Sequence, residues 1–167
     1  MELFILRHAI AVPHGTKGYE HDGERPLTPE GERKMKQIAE ALRALDLSFD
    51  LILSSPLTRA RQTAEIVAGV FDAKSKLKFS GHLAVGGDPR ALVAEVTQNY
   101  DSFERVMLVG HEPYLSELIA VLLSGDSTLS ITMKKGGLCK LAVDALHYGR
   151  CATLEWLLTP RLMTRMR

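Results

Sequence analysis

Apolar residues fall into two patterns along the chain, short unbroken runs and stretches with helical spacing, and the two alternate. Leu3–Leu6 is an apolar run that ends in Arg7-His8. After a long polar stretch, Met35, Ile38, Leu42 and Leu45 recur at the spacing of one helix face. Thr28-Pro29 supplies the start of that helix, a hydroxyl N-cap followed by proline at the first helical position. Asp50-Leu51-Ile52-Leu53 predicts a second strand. Ser55-Pro56 predicts a second helix start by the same chemistry, with Leu57, Ala60, Ala64, Val67 and Phe71 on one face. Leu77–Ser80 is a weaker strand, and Asp88-Pro89 opens a helix carrying Leu92, Val93 and Val96. Val106–Val109 is a buried strand, and Pro113 opens a helix bearing Leu115, Leu118, Ile119 and Leu122. The ending differs: Gly137–Val143 and Cys151–Leu158 read as an antiparallel hairpin around a turn that includes Gly149.

Strands alternating with helices over short links predict an α/β fold with a mostly parallel central sheet flanked by helices, closed by the C-terminal antiparallel hairpin. No repeat, low-complexity tract or linker interrupts the pattern, so residues 1–167 read as a single domain, an ordinary size for one. The one long aperiodic segment is Ala9–Leu27, with Gly15, Gly18 and Gly23. It follows the first strand directly, and the carboxyl ends of strands are where open α/β sheets place their ligands.

Composition narrows the function. Apolar residues make up 46% and charged residues 25%, which allows a real core and argues against disorder. Lys+Arg number 21 against 20 Asp+Glu, for a net charge of +1, which argues against nucleic acid as a partner. Any anion site must come from local clustering of positive charge. No apolar stretch is long enough to predict a membrane span, and the first residues lack the features of a secretory signal. Cys139 and Cys151 have neither metal-ligand nor redox spacing and read as buried or half-buried thiols, so the expected location is cytoplasmic. His14, His21, His82 and His147 are scattered and read as surface residues rather than metal ligands. Trp156 reads as core. Lys134-Lys135 reads as a solvated turn, or one that meets an acidic or phosphorylated partner, and the arginines of Arg161–Arg167 read as a solvated end.

Chemistry concentrates where the apolar strands stop. Arg7-His8 ends the first strand, Arg59 follows the second, and His111 follows Val109-Gly110. In a parallel sheet those ends share one edge, so the four residues converge. Each alone has a structural explanation, as a rim residue, a solvated helix residue or a support for a turn, but together they suit a phosphoryl group. Arginine presents a planar, permanently charged fork to its oxygens. A neutral imidazole is an available nitrogen nucleophile. Helix starts at Ser55-Pro56 and Pro113 offer backbone donors to an anion.

Four segments resemble one known family. Leu6-Arg7-His8-Ala9 is similar to the "RHG" signature of the histidine phosphatase superfamily, and Ser55-Pro56-Leu57-Thr58-Arg59-Ala60-Arg61-Gln62-Thr63-Ala64 resembles its "SPxxRAxQTA" segment. Val109-Gly110-His111-Glu112-Pro113 resembles its "GHxP" segment, and Arg25–Gly31 its "RPLTxxG" stretch. The short length, Gly87-Asp88-Pro89 and the hairpin ending resemble compact phosphohistidine phosphatases of the SixA type. The resemblance implies a three-layer, phosphoglycerate-mutase-like fold and a metal-independent phosphatase with no cofactor, the arginines supplying the positive charge. It implies His8 as the nucleophile that becomes phosphohistidine, with Arg7, Arg59 and His111 binding the phosphoryl group. Ala9 departs from the motif glycine and excludes easy access to positive φ. Asp88 is the candidate general acid, by analogy with family members that place an acid after the third strand; Asp22 and Glu20 are further candidates, and N-capping is the structural alternative for Asp88. The implied partner is a phosphorylated protein, such as a histidine-containing phosphotransfer domain, or a small phosphorylated metabolite. A mutase-like transferase and a non-catalytic phosphate-binding module are the rival readings.

Overall fold

A computed structural model describes Met1–Met166. Six strands form one sheet: β1 (Glu2–Arg7), β2 (Leu51–Ser54), β3 (Leu77–Phe79), β4 (Arg105–Gly110), β5 (Leu138–Val143) and β6 (Ala152–Leu158). They lie in the order β3-β2-β4-β1-β5-β6. β1 pairs with β4 in parallel, as do β2 with β4 and β2 with β3. β5 is antiparallel to both of its neighbours, so it runs against every other strand.

Helices α1 (Pro29–Arg43), α2 (Thr58–Val70) and the short α5 (Pro160–Met163) cover one face, and α3 (Pro89–Tyr100) and α4 (Tyr114–Ser124) cover the other. The strand period of two divides β1 between two cores: Phe4 and Leu6 pack with Met35, Ile38 and Ala64, whereas Leu3 and Ile5 pack with Leu92, Leu118 and Ile119. Burial on both faces explains why the central strands read as unbroken apolar runs.

The start of α1 follows the sequence chemistry. Thr28 Oγ1 accepts from the Gly31 N–H at 3.0 Å, and Pro29 occupies the first turn. Such a cap is worth about 1 kcal/mol. Gly31 is required by contact rather than by conformation: a Cβ there would lie 2.0 Å from the Ile10 carbonyl oxygen. That approach, with the Thr28 N–H donating to the same carbonyl at 2.9 Å, fixes α1 against the segment that follows His8.

Three local expectations change. Helix α2 begins at Thr58 with Leu57 as its N-cap, not at Ser55-Pro56; the Ser55 hydroxyl bonds His111 and accepts from the Leu57 N–H at 3.3 Å, two residues on. Leu45 lies beyond the end of α1 and is exposed. Trp156 is only half-buried, against the α1 core. The four scattered histidines and Lys134-Lys135 are exposed, Cys139 is buried and Cys151 half-buried. Arg161 and Arg165 are exposed, and Arg167 lies outside the described residues. No helix among the described residues is long and apolar enough to cross a membrane.

Candidate active site

The adjacent parallel strands β2, β4 and β1 end at one edge of the sheet. The His8 N–H donates to the Gly110 carbonyl at 3.0 Å, and the Ser55 N–H to the Val109 carbonyl at 2.9 Å. On its other side the Arg7-His8 backbone is held by the Gly136 N–H, 3.1 Å from both the Arg7 and His8 carbonyls. This is the convergence that apolar runs ending in charged residues predict.

His8 is 6% exposed. Its Nδ1 lies 2.7 Å from the Ala9 carbonyl oxygen, which can only accept, so Nδ1 carries the proton and Nε2 the lone pair. Arg59 Nε points at that lone pair from 3.3 Å. Burial, with the charges of Arg59 and Arg7 and the nearby His111, outweighs the Ala9 hydrogen bond and lowers the His8 pKa to about 3. The imidazole is therefore neutral at pH 7. The Ala9 N–H donates to Thr63 Oγ1 at 3.0 Å, and Thr63 donates to the Arg59 carbonyl at 2.7 Å, tying the residue after His8 to α2. Ala9 needs no glycine conformation, since the positive-φ residues other than glycine among those described are Asp46 and Asp72.

The His111 ring stands 5.2 Å from that of His8, centroid to centroid. Its Nε2 bonds Ser55 Oγ at 2.8 Å, and burial followed by the Arg59 charge lowers its pKa to about 4. Its Nδ1 is buried without a hydrogen-bond partner among the described residues, as is Nε of Arg7. Arg7 is anchored through Nη1, which donates to the Met133 carbonyl at 2.7 Å. Buried polar atoms are nearly always satisfied. Two orphaned positions on cationic or donor-capable groups beside His8 are the signature of a site shaped for an anion.

Arg59 also reaches the aperiodic loop. Its Nη1 donates to the Asp22 carbonyl at 2.7 Å and its Nη2 to Asp22 Oδ2 at 2.9 Å. Arg25 grips the other oxygen, Asp22 Oδ1, through Nε at 2.9 Å and Nη2 at 2.7 Å. Burial raises the Asp22 pKa, but the hydrogen bonds from Arg25 and Arg59 prevail and leave it below the usual carboxylate range.

The structure thus brings Arg7, His8, Arg59 and His111 together. Asp88 stands apart: it is exposed, caps α3 by accepting from the Arg90 N–H at 2.8 Å, and bonds none of the four. Glu20 is exposed and accepts from the Gly18 N–H. Sequence reasoning missed the Asp22–Arg25 pair and the supports Ser55 and Thr63, although Arg25, Ser55 and Thr63 all lie in the motifs. The arrangement offers a neutral nitrogen nucleophile amid fixed positive charge and aimed donors, the requirements of phosphoryl transfer.

The family model of the histidine phosphatase superfamily (branch 1) matches residues 3–79. An uncharacterised protein of Picosynechococcus sp. is 39% identical over 146 residues, 87% of each chain. The phosphohistidine phosphatase SixA of Escherichia coli K12 is 26% identical over 96% of this chain and 94% of its own. A structure of the protein histidine phosphatase SixA complexed with tungstate superposes with a TM-score of 0.82 at 25% identity, covering 98% of this chain and 99% of that one. The α-ribazole phosphatase of Shigella flexneri shares the fold, with a TM-score of 0.70 at 19% identity over 96% of this chain and 97% of that one.

Proposed function

The chain belongs to the histidine phosphatase superfamily, and from that membership we propose that it removes the phosphoryl group of protein phosphohistidine through a covalent intermediate on His8. The observation that carries this reading is the state of His8: neutral, with its proton held on Nδ1 by Ala9 and its Nε2 lone pair facing the arginine-lined site. Arg7 Nε and His111 Nδ1 bind phosphoryl oxygens, which satisfies both orphaned atoms. Ser55 donates to His111 Nε2 and so leaves the proton on Nδ1, where an oxygen can accept it. The whole chain, 1–167, works as one such domain in the cytoplasm, with the arginines supplying the positive charge.

His8 Nε2 attacks phosphorus in line. The new N–P bond forms as the donor's P–N bond breaks, and the bonding pair returns to the donor nitrogen. A donor imidazole protonated on its other nitrogen leaves as neutral imidazole and needs no external acid. Water then attacks the phosphohistidine, its proton passes to the phosphate, and Nε2 recovers its lone pair. The surrounding groups favour this substrate: Asp22 is held as a carboxylate by two arginines and Asp88 is spent on a helix cap, so neither is poised to protonate an alkoxide.

Small phosphate esters are the second reading, supported by the likeness in fold to the α-ribazole phosphatase; that reading requires Asp88 to give up its helix cap to act as the acid. Rapid-quench labelling with a ³²P-phosphohistidine protein tests the first. Wild type should acquire an acid-labile, base-stable label, and His8→Ala should acquire none and lose turnover. Turnover of esters alone would establish the second reading, and phosphate binding without turnover of either substrate would leave a binding module.

A further inference from the structure

A cleft of about 840 Å³ opens beside the phosphoryl site and shares Arg7 and Ala9 with it. Its rim carries Lys34, Lys134, Lys135 and Arg161, and no acidic residue lines it. These cations come from three distant parts of the chain, the exposed side of α1, the turn before β5 and the start of α5. Lys34 has an i,i+4 partner in Glu30, whereas Lys134, Lys135 and Arg161 have no ion pair among the described residues. With a net charge of only +1 for the whole protein, this is local concentration rather than general basicity. The floor is apolar, built from Ile10, Ile38 and Pro160.

The lysine turn is rigidly tied to the chemistry. Met133, just before it, accepts from Arg7 Nη1 at 2.7 Å, and Gly136, just after it, donates to the His8 carbonyl at 3.1 Å. Gly136 has φ 79°, and a Cβ there would lie 3.4 Å from Ile38 Cδ1, so the turn sits directly on the cleft floor. Whatever presents its phosphoryl group to His8 therefore lies at a fixed offset from these cations.

We propose that this cleft docks the phosphorylated protein itself, by an acidic face flanking its phosphohistidine that carries an apolar side chain into the cleft. The inference rests on the phosphohistidine reading and adds the surface that selects the partner. Charge complementarity names the occupant: a basic rim calls for Asp and Glu, and an apolar floor calls for more than a bare anion. A rim of this kind acts on the encounter rate and its salt dependence more than on the chemical step.

The test uses a histidine-containing phosphotransfer domain with acidic residues around its phosphohistidine, and phosphoramidate as the small substrate. Lys134→Glu/Lys135→Glu should lower kcat/KM for the phosphoprotein about tenfold or more and flatten its dependence on ionic strength. It should leave kcat/KM for phosphoramidate within about twofold. Arg161→Glu should act in the same direction, and Lys134→Arg/Lys135→Arg should retain the wild-type rate. Unchanged phosphoprotein turnover in both reversals would remove the docking surface and leave the function standing. An equal loss on phosphoramidate would assign the lysines to the phosphoryl site instead. A wild type that hydrolyses phosphoramidate but no phosphoprotein would remove the function reading and this proposal together.

Discussion

Acidification from pH 7 to pH 5 should cost the folded state stability that is traceable to two residues. His8 and His111 have folded pKa values of about 3 and about 4, both below the 6.5 of an unfolded imidazole. Between those limits the unfolded chain binds protons that the folded one refuses, so stability is fully present above pH 6.5 and is lost as pH falls toward the folded values. At pH 5 the unfolded state gains about 2 kcal/mol per histidine relative to pH 7, hence about 4 kcal/mol for the pair. A folded value one unit higher changes either contribution by less than about 0.5 kcal/mol, because pH 5 stays at or above it. Carboxylates with lowered pKa values, such as Glu2 and Asp22, lose their contribution mainly below pH 4.5, so the window from 6.5 to 5 reports the histidines. Urea denaturation at the two pH values supplies the measurement. Wild type should lose about 4 kcal/mol, His8→Asn about 2, and the double variant with His111→Asn close to none. Equal losses in all three proteins would mean that His8 is not held neutral by its burial, and the account of its nucleophilicity would fall with it.

Two shorter predictions follow from neighbouring contacts. Asp22→Asn removes a negative charge that occupies Arg59 Nη2 at 2.9 Å, so inorganic phosphate should inhibit turnover about three- to tenfold more tightly; weaker inhibition would show that Asp22 aims Arg59 rather than competing for it. Gly31→Ala places a methyl 2.0 Å from the Ile10 carbonyl oxygen and should cost about 1–3 kcal/mol of stability in urea; a loss below about 0.5 kcal/mol would mean that α1 is free to shift.

The four convergent residues were legible because each interrupts or follows an apolar strand, and a parallel sheet gathers such ends whatever the loops do. Helix starts at Thr28 and Asp88 were legible for the same kind of reason, since their capping chemistry is local. Ser55 shows where local chemistry fails. Ser-Pro is a good helix start in isolation, yet the hydroxyl reaches only the Leu57 N–H locally, is shared with His111 fifty-six positions away, and the helix begins later on Leu57. The Asp22–Arg25 pair and its hold on Arg59 were hidden because Asp22 and Arg25 lie in an aperiodic loop, where spacing carries no directional information. Strand β5 was readable as one arm of a hairpin, but its place beside β1 depends on pairing across the whole chain.

That pairing has a functional consequence. Inserting β5 next to β1 puts the turn of Lys134-Lys135 against the backbone of Arg7 and His8, so the same register that completes the sheet also fixes the basic cleft relative to His8. Site chemistry belongs to residues at the ends of parallel strands, and the proposed partner selection belongs to a turn that enters the antiparallel strand beside them. The two are separable by mutation, because the turn holds Arg7 and His8 through backbone groups of Met133 and Gly136 while its lysine side chains point charge toward the cleft. On the proposed phosphohistidine reading, changes in those side chains should alter which phosphoproteins are accepted without moving Arg7, His8, Arg59 or His111.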